Sequence, residues 1–331
     1  MPRAILLFGT GCGPAQAPSQ PLPETLVLRV DTVQVSATRA NTPEAWDAPE
    51  GKSATAAGCN VVAAGVTFFE PAIGGVMSSL CALGGDSPGG RSATEPDLRL
   101  TLGAGAATKY TTFVASDSSS QSLQYEFAVP VSAIPADGLR LEVFDEDKEG
   151  PELIGSVRLS SAQLAKAYRS PSKLLILSAG SIQRLELVVS AYAERPAYLT
   201  QHQAKAPPFR LERPVKAGEL VSVRASGRFT VGSYYDDALD PAGYPGGEAR
   251  SYNLGPFKRD PHACAIALIG AGPTVDGIAI GKAKEFIAPH AGPLRLGLND
   301  KDLDNNEGTV SFEVSLRAPT AQDWLKAGHA K

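Results

Sequence analysis

Apolar and polar residues alternate with a period of two in many short segments of this chain. Such alternation is typical of β-strands that bury one face. In the first half it predicts strands with these inward-facing residues: Leu26, Leu28 and Val30; Leu98, Leu100 and Leu102; Leu123, Tyr125, Phe127 and Val129; Leu139, Leu141 and Val143; Leu185, Leu187 and Val189. The one predicted helix covers 161–168. Because parallel strands need crossover helices, the pattern favours an antiparallel sandwich.

The second half of the chain has the same character. Further strands are predicted at 220–227, 264–269, 278–287, 294–298 and 310–316, with no helix signal between them. A segment rich in Gln, Lys and Pro, 198–208, predicts a linker between the halves. The sequence therefore predicts an all-β protein with two antiparallel β-sandwiches in tandem.

Length and composition agree with two modules. The chain has 331 residues, 33 of them Gly and 26 Pro, which suits two domains of short strands joined by turns. We assign 1–21 to a signal and Pro-rich tether, 22–194 to the first module with a large insertion at about 48–93, 195–318 to the second module and 319–331 to a tail. A formal net charge of −4, without clustered Lys and Arg, argues against nucleic acid as a partner.

The N-terminus has the features of an export signal. Arg3 precedes a short apolar run at 4–8, and Gly9, Thr10 and Gly11 lead to Cys12. The pattern resembles a bacterial lipoprotein signal, which implies a lipid on Cys12 and an exported protein, either anchored to a membrane or released outside the cell or into the periplasm. The Pro-rich residues that follow would form an extended tether. A disordered cytosolic leader is the alternative.

The insertion at about 48–93 is Gly-rich and apolar. Cys59 and Cys81 lie within it and could close it as a disulfide in an oxidising compartment. Cys264 then stays unpaired, as a small buried apolar side chain. The apolar residues of the insertion either enter a bilayer or a partner, or pack on each other and on the sandwich, and we favour packing.

An acidic loop follows the strand that ends at Asp145 and Asp147, and Glu152 comes just before the next strand. Two aspartates separated by one residue project to the same side of a strand end and offer hard oxygen ligands. The segment 139–155 resembles the third calcium-binding loop of C2 domains. The resemblance implies Asp145, Asp147 and Glu152 as Ca²⁺ ligands in this loop, Glu95 and Asp47 as ligands in the first loop, and a phospholipid or protein partner at the loops. An acidic loop that has lost its metal is the alternative.

The segment 292–312 brings a strand to Asn299 and Asp300, gathers further Asp and Asn residues and restarts at Gly308. Asp, Asn and carbonyl oxygens suit Ca²⁺. The segment resembles the bacterial calcium-dependent galactophilic lectins. That resemblance implies the following ligand set and sugar-stacking tyrosines: Asp300, Asn305, Asn306 and the carbonyl of Val231; Tyr234, Tyr235 and Tyr252. It also implies a glycan, of the galactoside class, as the partner.

Enzyme motifs are absent from the sequence. The four histidines show no metal-ligand spacing, and the chain contains no nucleophile elbow and no phosphate-binding Gly-rich loop. We therefore expect a calcium-dependent binding protein at the cell surface or envelope, and no catalytic residues. The alternative is a structural envelope protein whose sandwiches are stiffened by calcium and bind no sugar.

Overall fold

The computed structural model describes residues 21–36, 96–104, 108–112, 120–121, 125–147, 150–232, 238–270 and 275–327. The predicted positions that lie outside these residues are Cys12, Asp47, Cys59, Cys81, Glu95, Leu123, Tyr234 and Tyr235.

Nearly all regular structure in the described residues is β. In the first half the strands are β1 (Thr25–Val35), β2 (Leu98–Ala104), β3 (Thr108–Thr111), β4 (Ser120–Gln121), β5 (Tyr125–Pro130), β6 (Leu139–Asp147), β7 (Gly150–Leu159), β8 (Leu174–Ala179) and β9 (Ile182–Ala191). Helix α1 (Ser161–Arg169) lies between β7 and β8. It begins at a capping box in which Ser160 and Gln163 satisfy each other's backbone N–H groups.

In the second half the strands are β10 (Tyr198–Gln203), β11 (Phe209–Arg210), β12 (Leu220–Val231), β13 (Ala265–Ile269), β14 (Asp276–Ala279), β15 (Ala283–Ile287), β16 (Leu294–Leu298) and β17 (Asn306–Arg317). Three 3-10 helices, at Val131–Ala133, Glu248–Tyr252 and Gly255–Phe257, and helix α2 (Ala321–Ala327) complete the described elements. No helix among the described residues is both long and apolar enough to cross a membrane.

Each half is a pair of antiparallel sheets, which confirms the predicted fold class. In the first module one sheet has the order β3-β2-β6-β7. The other has the order β8-β9-β1, and β4 and β5 both pair with the remaining edge of β1. In the second module the orders are β10-β17-β12-β15 and β11-β16-β13-β14. The inward residues predicted from the alternation, such as Leu100, Leu141 and Leu187, are buried between the first two sheets.

Two predictions about the second half are wrong. The segment 198–208, interpreted as a linker, contains β10, which pairs with β17 along its whole length. The segment 278–287, interpreted as one strand, is split between β14 and β15, which belong to different sheets. Gly281 has a φ of +62° in the turn between them, a conformation that favours glycine and lets the chain cross from one sheet to the other.

The two modules are joined by main-chain and side-chain contacts. Ala217, just before β12, exchanges two backbone hydrogen bonds with β5, through the N–H of Ala128 and the carbonyl of Glu126. Within 319–331, interpreted as a tail, the structure contains α2, whose Trp324 is fully buried in the apolar core of the first module. Its ring packs 4.6 Å from that of Tyr110, measured between centroids. The C-terminal helix thus completes the core of the N-terminal module.

Candidate functional site

The described part of the predicted C2-type site lies at the ends of β6 and β7. Asp145 and Glu152 are directly paired across these strands, and Asp147 pairs with Gly150 at the end of the same ladder. Asp145 continues the inward-facing row of β6, is fully buried, and its Oδ1 accepts a hydrogen bond of 2.9 Å from the backbone N–H of Asp97. One oxygen of this carboxylate therefore fixes the backbone just before β2.

No three His, Cys, Asp or Glu side chains within the described ranges lie close enough together to hold a metal ion. For the first module, the predicted convergence of Asp145 and Glu152 with Asp47 and Glu95 stays a prediction, because the last two residues lie outside those ranges. Contact of this module with lipid or a protein partner also stays a prediction.

The predicted residues of the second module meet at one end of its sandwich. β12 ends at Val231, which pairs with Asn306 at the start of β17. The loop between β16 and β17 folds back on itself because Oδ1 of Asp300 accepts a 2.9 Å hydrogen bond from the backbone N–H of Asp302. The carbonyl of Asn305 accepts from the N–H of Gly232, which ties the loop to the end of β12.

A pocket of about 500 Å³ opens beside this loop. Its described walls are Val231, Gly232, Glu248, Ala249, Ser251, Tyr252, His262, Asp300, Asp302 and Asn305. Four residues selected from the sequence, Val231, Asp300, Asn305 and Tyr252, are therefore brought to one cavity. Tyr252 is 45% exposed, so part of its ring is accessible to a ligand.

Asp300 is the buried carboxylate of this pocket. The residue is 3% exposed, and Oδ2 accepts a 3.0 Å hydrogen bond from Nδ2 of Asn306, which is 1% exposed. Nδ2 of Asn306 also donates to the carbonyl of Ala204 at 3.3 Å, whereas Oδ1 of Asn306 is buried and has no hydrogen-bond partner in the described part of the chain. Buried polar atoms are normally satisfied, so this oxygen marks a position for a missing partner.

These atoms fit a hard cation. Ca²⁺ is bound by carboxylate, amide and backbone carbonyl oxygens, which is the donor set of Asp300, Asn305, Asn306 and Val231. No Lys or Arg among the described residues forms an ion pair with Asp300, whose two carboxylate oxygens accept hydrogen bonds from the backbone N–H of Asp302 and from Nδ2 of Asn306. Burial of a carboxylate without a cation is costly, so a cation bound here would offset that cost.

A buried polar network supports the pocket wall from behind. Oδ1 of Asn299 accepts from the N–H of Leu254 at 3.0 Å, and its Nδ2 donates to the carbonyls of Phe257 and Pro261. Asn253 Oδ1 lies 3.0 Å from Nδ1 of His262. Burial lowers the pKa of His262 despite the nearby Asp300 carboxylate, so its neutral form is favoured at the pocket wall.

Sequence reasoning missed His262 and Glu248 as pocket residues. They come from segments outside the Asp- and Asn-rich loop, and neither stands in a recognisable motif. Asn299 also was not selected, although it adjoins Asp300 in the Asn-Asp pair that marked the loop. That pair was the available signal for a buried amide supporting the site.

A second pocket, of about 370 Å³, lies at the junction of the modules. Two of the three basic residues in its described lining have carboxylate partners, since Lys216 forms an ion pair with Glu126 and Arg195 lies 3.5 Å from the buried Glu219. The third, Arg213, shares the lining with Glu194. The pocket beside Asp300 is the stronger candidate, because it contains a buried carboxylate that is hydrogen-bonded to an amide with an unsatisfied oxygen.

No protein-family model matches the chain, and no curated protein matches it at a significant level. Among solved structures it is similar to the EclA N-terminal domain, described as a PllA-like lectin, with 23% identity, a TM-score of 0.29 and coverage of 36% of this chain and 96% of that one.

The chain is also similar to the two C2 domains of Extended-Synaptotagmin 2, with 10% identity, a TM-score of 0.30 and coverage of 96% of this chain and 99% of that one. For human GIVD cytosolic phospholipase A2 the values are 11% and 0.29, and the match covers 89% of this chain but 32% of that one. Structures with lectin and C2 domains thus occur among the neighbours.

Proposed function

We propose that this chain is a calcium-dependent carbohydrate-binding protein whose ligand site is the pocket beside Asp300. The observation that carries the proposal is the meeting of Val231, Asp300, Asn305 and Tyr252 in one cavity. Asp300 is also hydrogen-bonded to Asn306, whose amide oxygen is buried and unsatisfied in the described part of the chain. In this interpretation the protein is not an enzyme, and the sugar is of the galactoside class.

The chain's own residues would divide the work of binding. Asp300 supplies the charge that holds the ion, and Asn305, Asn306 and the carbonyl of Val231 supply neutral oxygens. Because Ca²⁺ takes about 6–8 oxygen ligands, the ion would retain positions for neighbouring hydroxyl groups of a sugar. Tyr252 would offer a ring face to the apolar side of that sugar.

We further propose that the protein is exported and anchored through Cys12, which agrees with the ligand chemistry. Extracellular calcium modules commonly bind the ion with dissociation constants of about 10⁻⁴–10⁻³ M, so they are filled outside cells and empty in the cytosol. The C2-like module would then contact lipid or a protein partner. Membrane fractionation of cells expressing Cys12→Ser would show release of the protein if the anchor is correct.

The test of the ligand site uses the full chain, with calorimetric titration of CaCl₂ and then of methyl β-galactoside. We expect Asp300→Asn to weaken calcium binding at least tenfold, roughly the loss of one charge-assisted contact. Asp304→Asn is the matched control, since Asp304 is an exposed carboxylate of the same loop that does not line the pocket.

Three outcomes separate the alternatives. Sugar binding that requires calcium and fails in Asp300→Asn supports the proposal. Calcium binding without any sugar binding would instead favour the structural envelope protein with stiffened sandwiches. Unchanged heats in Asp300→Asn would remove Asp300 from the ion site.

A further inference from the structure

We infer that the pocket beside Asp300 selects neutral or amino-bearing sugars and rejects sugars that carry a carboxylate or sulfate. This inference rests on the proposed function and specifies its substrate class. The observation behind it is the charge of the pocket walls: the described lining contains Glu248, Asp300 and Asp302, and it contains no Lys or Arg side chain.

Glu248 provides a fixed negative charge at the edge of the pocket. It is exposed at the start of the 3-10 helix Glu248–Tyr252, and its Oε1 accepts a hydrogen bond from the hydroxyl of Tyr244. That hydrogen bond stabilises the ionised form and lowers the pKa of Glu248 below its ordinary value. The carboxylate therefore remains charged at neutral and mildly acidic pH.

Asp302 provides a second exposed carboxylate, on the loop that also holds Asp300. Its Oδ2 accepts a 3.1 Å hydrogen bond from Nδ2 of Asn305, which holds the side chain at the pocket. A bound ion at Asp300 would offset the buried charge, whereas Glu248 and Asp302 are not among the ion ligands proposed above. They would face the ligand uncompensated.

The neighbouring basic groups do not cancel the negative charge of the pocket walls. The one imidazole of the described wall, that of His262, is buried, and its Nδ1 lies 3.0 Å from Oδ1 of Asn253. Nζ of Lys301 lies 6.0 Å from the centroid of the Tyr252 ring, and Lys301 does not line the pocket. Other basic side chains of this part of the chain, Arg250, Lys258 and Arg259, are exposed and also lie outside the described lining.

The size of the effect follows from Coulomb's law. For like charges about 7 Å apart, repulsion lowers affinity roughly threefold at the dielectric constant of water and roughly fiftyfold at an effective value near 20. We expect about a tenfold preference for a neutral sugar over its acidic analogue at low salt. The preference should shrink as ionic strength rises, because the pocket is open to solvent.

An opposite order is physically possible, which makes the test sharp. A sugar carboxylate that bound directly to the calcium ion would raise affinity for the acidic sugar. The experiment therefore measures the affinities of galactose, galactosamine and galacturonate for the full chain in saturating calcium, at low and at physiological salt. Glu248→Gln is the test variant, since glutamine can still accept the hydrogen bond from Tyr244.

Glu307→Gln is the matched control, because Glu307 is an exposed glutamate of β17 outside the described lining. We expect galacturonate to bind about tenfold more weakly than galactose, and Glu248→Gln to reduce that ratio at least threefold while Glu307→Gln leaves it unchanged. Equal or tighter binding of galacturonate, or a ratio that Glu248→Gln does not alter, overturns the charge selectivity. Failure of every sugar to bind in calcium would instead remove the proposed function itself.

Discussion

Trp324 offers the most direct test of how the two modules are joined. The residue belongs to α2, near the C-terminus, yet its side chain is fully buried in the core of the first module. Trp324→Ala should therefore destabilise the N-terminal module, although the change lies far beyond the last strand of that module in the sequence. The hydrogen bond from Tyr110 is retained, because its hydroxyl donates to the backbone carbonyl of Trp324.

The cost can be estimated in two ways. A buried aromatic side chain removes about 150–250 Å² from water, which at about 25 cal/mol per Å² amounts to roughly 4–6 kcal/mol. Substitution of a buried Phe or Trp by Ala typically costs about 3–5 kcal/mol. We expect a loss of about 4 kcal/mol in the free energy of unfolding. That is a large part of the roughly 5–15 kcal/mol that stabilises an ordinary domain.

Two control variants sharpen the result. Trp324→Phe should cost less than half as much as Trp324→Ala, since Nε1 of Trp324 has no hydrogen-bond partner in the described part of the chain and phenylalanine leaves no polar atom unsatisfied. Gln322→Ala, an exposed change on the same helix, should be neutral within about 0.5 kcal/mol.

Urea denaturation followed by far-ultraviolet circular dichroism is the suitable assay. Tryptophan fluorescence is unsuitable, because the substitutions remove one of only two tryptophans, the other being Trp46. A loss below about 1 kcal/mol in Trp324→Ala would mean that the indole does not fill the core of the first module, and the described junction would be wrong.

Three further predictions concern other buried groups. Burial lowers the pKa of His202 below 6.5, so the unfolded chain binds a proton more readily than the folded chain, and the stability should fall as the pH decreases below about 6.5. Thermal unfolding at about pH 7.5 and 5.5 should show this loss, and His202→Phe should reduce the difference between the two pH values. Burial raises the pKa of the Cys264 thiol to about 12, so iodoacetamide should label it in urea but not in the native protein; rapid native labelling at Cys264, located by peptide mapping, would contradict its burial. Glu219 is fully buried and accepts hydrogen bonds from the Tyr192 hydroxyl and the backbone N–H of Lys216. Glu219→Ala should therefore lower the free energy of unfolding, measured by urea denaturation, by about 3–5 kcal/mol. A loss below about 1 kcal/mol would show that these donors find other partners.

The fold class could be predicted because a strand with one buried face shows alternating apolar and polar residues in its own sequence. Leu98, Leu100 and Leu102 alternate with polar residues, and the structure buries all three. The same rule failed where position in the sheet outweighs local pattern. In β10 only His202 is buried and Leu199 is 77% exposed, so the pairing of this strand with β17 left little apolar signal in the sequence.

The candidate site was predictable only in part, for a similar reason. Asp300, Asn305 and Asn306 lie in one short loop segment, so their shared chemistry can be read from the sequence. His262 and Glu248 reach the pocket from segments far away in sequence, and only the tertiary fold brings them there. Trp324 is harder still, because its helix of 7 residues is too short to show a helical period.

The long pairing of β12 with β17 sets where a ligand would be held. These strands run antiparallel from Val231 and Asn306 beside the pocket to Leu220 and Arg317 at the junction with the first module. A strand of this length extends about 35 Å. If the chain is tethered to a surface at its N-terminal end, this length would let the cavity reach molecules on an opposing surface while the rest of the protein stays close to the surface that carries the tether.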